Sequence, residues 1–108
     1  MLTESQKYTL LDLIMKLLSE AHHVRKKSEA HGKSWSVFWR YGNYEIDAFF
    51  CEQHGYRLGM IGVGTGINLI MDHTLTGFFE PPQIRGSFDV LVKQLRTCLN
   101  DWQHGKVL

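Results

Sequence analysis

Gly62-Val63-Gly64-Thr65-Gly66 is the stretch of this chain with the strongest claim on ligand chemistry. Closely spaced glycines let backbone N–H groups approach a phosphate, and a small anionic or nucleotide ligand is the substrate class such a turn would take. A phosphate loop, however, leaves a strand, opens a helix and carries a lysine or a further correctly spaced glycine. Here no lysine follows, and Ile67, Leu69 and Met71 alternate with Asn68, Ile70 and Asp72 in the manner of a strand. A plain turn between two strands is the reading preferred, with anion binding at Gly62 to Gly66 as the alternative.

Other candidates are incomplete in the same way. Cys51-x-x-His54 has half of a zinc-site spacing, and His22, His23, His31, His73 and His104 offer further imidazoles. Structural zinc sites come as two such pairs, and no second pair exists, so no metal and no cofactor is expected. Glu45 and Asp47 lie two residues apart beside Arg40, and paired carboxylates divide acid and base roles only where their environments differ. A solvated polar face with one ion pair accounts for them more simply. Asp72 and His73 are neighbours on a presumed strand and point to opposite faces, which removes a relay between them.

Arg25, Lys26, Lys27 and Lys33 cluster where a first helix should end, and cations there favour the helix dipole. With a formal net charge of +1 the chain has no broad basic surface, which argues against nucleic acid as a partner. Cys51 and Cys98 fall in different elements and read as two thiols of a reduced, cytoplasmic protein. The start of the sequence is polar before it is apolar, the wrong order for a secretory signal, and no run is long enough to cross a bilayer.

The element that must position these groups is the hairpin from Ser34 to Cys51. Gly42-Asn43 sits between two runs of aromatic and β-branched residues and suits a tight two-residue turn. That turn pairs Tyr41 with Tyr44, Arg40 with Glu45, Trp39 with Ile46, Phe38 with Asp47, Val37 with Ala48 and Trp35 with Phe50. Alternation then places Trp35, Val37, Trp39, Tyr41, Tyr44, Ile46, Ala48 and Phe50 on a core face. Ser36, Phe38, Arg40, Glu45, Asp47 and Phe49 share the other.

On either side, Thr3 and Gln6 have the spacing of a capping box, and Leu10, Ile14, Leu17, Ala21 and Val24 form an apolar stripe widened by Leu11, Leu13 and Leu18. Gly32 is the expected terminator of that helix. A turn at His54-Gly55 leads to a third strand over Tyr56 to Val63, in a register that opposes Ile61 to Ala48 and Val63 to Ile46. Leu58 and Met60 then join Phe49 on the second face. Residues 74–86, with Pro81 and Pro82, read as a loop. Ser87 and Asp89 open a closing helix whose stripe is Phe88, Leu91, Val92, Leu95, Cys98, Leu99 and Trp102, ended by Gly105.

A chain of 108 residues with 44% hydrophobic and 21% charged content is one globular domain. The expected fold is α+β: an N-terminal helix, a three- to four-stranded antiparallel meander, and a C-terminal helix packed on one sheet face. Without a catalytic constellation the expectation is a non-enzymatic protein–protein interaction module. An inhibitor, immunity or chaperone-like accessory role fits, as a homodimer or docked on a larger partner through the second sheet face. Phe38, Phe49, Leu58 and Met60 are its expected apolar centre and Arg40, Glu45, Asp47 and Arg57 its rim.

Overall fold

The computed structural model describes residues 2–28, 34–53, 55–63, 67–73, 83–85 and 87–106, with side chains described in all of these except 25–28, 67–73 and 83–85. Helix α1 (Glu4–Ser28) begins at the expected box. The Thr3 N–H donates to Gln6 Oε1 at 3.0 Å and the Gln6 N–H donates to Thr3 Oγ1 at 3.1 Å, so two N–H groups that a helix start leaves unpaired are satisfied reciprocally. Leu10, Leu13, Ile14, Leu17, Leu18 and Ala21 are buried along its inner side. Gly32 lies outside the described residues.

Strands β1 (Ser34–Tyr41) and β2 (Tyr44–Cys51) pair in the predicted register from Ser34 opposite Cys51 to Tyr41 opposite Tyr44. Gly42 has φ of 58° while no described residue other than glycine has positive φ, so the turn rests on glycine alone at its first central position. Val37, Trp39, Ile46 and Ala48 are buried, Trp35 and Tyr44 pack half-buried against them, and Phe50 stacks on Trp35. Tyr41, at the end of its strand, is exposed and stacks on Trp39 with ring centroids 6.0 Å apart.

Strand β3 (Gly55–Gly62) departs from expectation. Cys51 pairs with Gly55, Ala48 with Leu58 and Ile46 with Met60, through a loop over residues 52–54 rather than a turn at His54-Gly55. The strand is thereby inverted. Leu58 and Met60 are fully buried on the helix side, whereas Ile61 and Val63 are exposed. The expected register would have turned Arg57, Gly59, Ile61 and Val63 to the core, a charge and a void beside two apolar side chains, in place of Tyr56, Leu58 and Met60. Burying each large apolar side chain contributes roughly 1.5–3 kcal/mol. Gly55, with φ of 83°, supplies the backbone conformation that lets the longer loop close.

Strand β4 (Ile67–His73) continues the meander, and a short β5 (Gln83–Arg85) pairs Leu69 with Ile84 inside the segment read from sequence as loop. The sheet has five antiparallel strands in the order β1-β2-β3-β4-β5. Helix α2 (Phe88–Gln103) follows. Ser87 holds the N-cap position, but its hydroxyl makes no capping hydrogen bond. At the other end Gly105 adopts φ of 77°, and the N–H groups of Gly105 and Lys106 donate to the carbonyls of Trp102 and Asp101.

Leu91, Leu95, Cys98 and Trp102 of α2 join the α1 stripe and the inward strand residues in one core. Trp39 Nε1 donates to Asp101 Oδ2 at 2.7 Å, fastening the end of α2 to β1. Both helices therefore lie on the same face of the sheet. No helix among the described residues is long and apolar enough to cross a membrane.

Candidate interaction face

The opposite sheet face carries the rows that the register aligns. Ser36, Phe49 and Arg57 form one row; Phe38, Asp47 and Gly59 form the next; Arg40, Glu45 and Ile61 form the third. Phe49 is 37% exposed and Ile61 53% exposed, and Val63 continues beyond the strand end at 61%. Arg57 and Asp47 are exposed as well. Gly59 opens the centre: a Cβ added there meets nothing within 4 Å.

Arg40 organises one end of the face. Its Nη2 lies 2.7 Å from Glu45 Oε1, and its guanidinium carbon sits 5.6 Å above the Phe38 ring. Both partners are solvent-accessible, so the ion pair contributes no more than about 1 kcal/mol and the cation–π contact about as much. Their effect is positional, since Phe38 is held beneath the arginine and half-buried.

Six of the expected site residues, Phe38, Arg40, Glu45, Asp47, Phe49 and Arg57, come together on this face. Leu58 and Met60 do not; the inverted third strand puts them beneath the helices, and Ile61 takes their place. The sequence held the signal for this in the alternation of Tyr56, Leu58 and Met60 with Arg57, Gly59 and Ile61.

The catalytic and ligand candidates are distributed differently. Glu45 is engaged with Arg40, and Asp47 is exposed rather than enclosed between Phe38 and Phe49. Gly62 closes β3, and the next described element is the strand β4 and not a helix; Gly64, Thr65 and Gly66 lie outside the described residues. His31, His54 and Lys33 also lie outside them, as do the side chains of Arg25, Lys26, Lys27, Asp72 and His73. Among the described residues no three His, Cys, Asp or Glu side chains gather as metal ligands would.

Two features were not read from the sequence. His22 is no free surface histidine: its ring sits 5.9 Å from Trp35, 5.9 Å from Phe50 and 6.0 Å from Tyr56, closing the strand end nearest the C-terminus of α1. Its spacing of four from Leu18 was the available clue. Among the described residues, neither His22 Nδ1 nor Trp35 Nε1 meets a hydrogen-bond partner. The second feature is a shallow depression of about 470 Å³ along α2, bordered by Asp89, Lys93, Arg96, Thr97 and Asn100. All its described borders come from a single helix.

Cys51 and Cys98 are unpaired. The Cys98 thiol is pushed far above its ordinary range, first by burial and then by the negative charge of Asp101, which makes it a core residue and not a nucleophile. No family model matches the chain, and no curated protein or solved structure is significantly similar to it.

Proposed function

We propose that this chain is a non-enzymatic interaction module that docks a protein partner on the helix-free face of its sheet. The observation that supports this reading is that Phe49 and Ile61 stand exposed on the side opposite both helices, interspersed with the charged side chains of Arg40, Glu45, Asp47 and Arg57. Exposed aromatic and aliphatic side chains mixed with arginine are features of protein interfaces, where aromatic residues and arginine carry most of the affinity. A reducing compartment such as the cytoplasm suits the two unpaired cysteines. An inhibitor, immunity or chaperone-like accessory role is the kind of task such a module performs.

The test is affinity capture from the native source with four baits: the parent, Phe49→Asp, Gly59→Arg, and Met15→Asp on the outer flank of α1 as a control. Gly59→Arg is informative because it adds bulk to the face where there is open space. A partner retained by the parent and the control but lost with both face variants supports the reading. Equal retention by all four baits overturns it.

A further inference from the structure

We infer that the helix-free face docks a second copy of this chain, the two sheets stacking face to face with their helices outermost. The inference rests on reading that face as a docking surface, and it names the occupant.

Charge favours self-association. The described side chains of the face set Arg40 and Arg57 against Glu45 and Asp47, so the face has no net charge to draw an acidic or a basic partner. Its charges alternate in position instead, and a second copy carries the same pattern.

Stacked sheets keep their strands within about 30° of one another. A two-fold axis running along the strands, midway between β2 and β3, lays β2 of each copy over β3 of the other. Each residue then stands over the copy of its own cross-strand neighbour: Phe49 over Arg57, Asp47 over Gly59 and Glu45 over Ile61. No cation meets a cation, and no carboxylate a carboxylate. Moving the axis onto β2 would set Asp47 and Glu45 against their own copies, and moving it onto β3 would do the same to Arg57.

The shapes agree with that placing. Asp47 is exposed, and the open space above Gly59, where an added Cβ meets nothing within 4 Å, receives it. Arg57 of the second copy stands one row away. Its guanidinium has five N–H donors, so a bond within its own chain leaves others for Asp47. Phe49 lies beneath that same guanidinium and Ile61 beneath the stem of Glu45, so the two exposed apolar side chains of the rows are covered together.

The area suffices for a weak dimer. Strands β1 to β4 have seven or eight residues each. At about 3.4 Å per residue and about 4.8 Å between strands they span about 500 Å² in plan. Two such faces reach the roughly 1,000 Å² that a specific interface needs.

Light scattering across a concentration series tests this. The expected result is a species of twice the 12.5 kDa chain mass that dissociates on dilution. Gly59→Glu sets a carboxylate over Asp47 of the second copy, and Asp47→Lys sets an ammonium near its Arg57. Either should weaken the dimer by about tenfold or more with circular dichroism unchanged. An equimolar mixture of the two folded variants should regain a dimer, because the introduced carboxylate of one meets the introduced ammonium of the other. Should either variant fail to fold, Ile61→Glu, at an exposed position over Glu45 of the second copy, must dissociate the dimer instead. A parent that is monomeric at every concentration overturns the inference, as does a dimer that these variants leave intact or a mixture of folded variants that stays monomeric. A monomeric parent whose Phe49→Asp and Gly59→Arg baits still lose a captured partner removes the second copy as occupant and leaves docking on this face standing.

Discussion

Trp39 and Asp101 are 62 residues apart, and the indole N–H of one donates to the carboxylate of the other at 2.7 Å. The carboxylate is mostly shielded, with 22% of its side chain exposed, and Lys106 Nζ stands 3.9 Å from its second oxygen. Removing the donor leaves a charged acceptor without its partner in a place that water reaches poorly. Trp39→Phe should therefore cost about 1.5–3 kcal/mol in urea unfolding. Asp101→Ala should cost a similar amount, and the double variant less than the sum of the two. Strict additivity would mean that the bond contributes nothing of its own.

Cys98 predicts an alkaline loss of stability. Its thiol stays protonated in the fold well above the range in which an unfolded cysteine ionises, because burial and then Asp101 both oppose the thiolate. The native state therefore holds one more proton than the unfolded state once the pH passes about 8.5. Above that point stability should fall by up to about 1.4 kcal/mol per pH unit, and below it the contribution is complete. Cys98→Ala should flatten the slope, as measured by melting temperature from pH 7 to 10. Native labelling with a thiol reagent should modify Cys51 first.

The glycines predict opposite signs. Gly42 has φ of 58°, and an alanine there adopts a conformation costing about 1–2 kcal/mol. Gly59 has open space where a Cβ would stand and no such backbone constraint, so Gly59→Val should be neutral to stabilising by up to about 1 kcal/mol. Thermal unfolding of the two variants side by side checks both.

Thr3→Ala should lower stability by about 0.5–2 kcal/mol, because it removes the hydroxyl that accepts from Gln6. Thr3→Ser should recover most of the loss.

Much of the fold was legible because local signals agreed. Thr3 and Gln6 announced the start of α1, Gly42 set the first hairpin's register, and Leu91, Leu95, Cys98 and Trp102 marked the inner side of α2. Leu58 and Met60 were misplaced because a loop of two residues and one of three differ in which residue first meets β2, and His54-Gly55 resembled the shorter. The alternation of Arg57 and Gly59 with Leu58 and Met60 carried the answer, since only one of those pairs belongs in a core. Strand β5 was hidden because three residues after a proline pair are too few to show a period. The His22 cluster depends on where α1 crosses the sheet, and a helix's own spacing does not encode that.

Because every strand's neighbour in the sheet is also its neighbour along the chain, the meander can zip hairpin by hairpin at little cost in loop closure. The two helices have no such advantage: α1 and α2 stand at opposite ends of the described sequence, and bringing them together closes the longest loop in the fold. Assembly should accordingly be rapid for the ribbon and slow for its roof, and the rate at which the Trp39 indole loses its contact with solvent would time the second step.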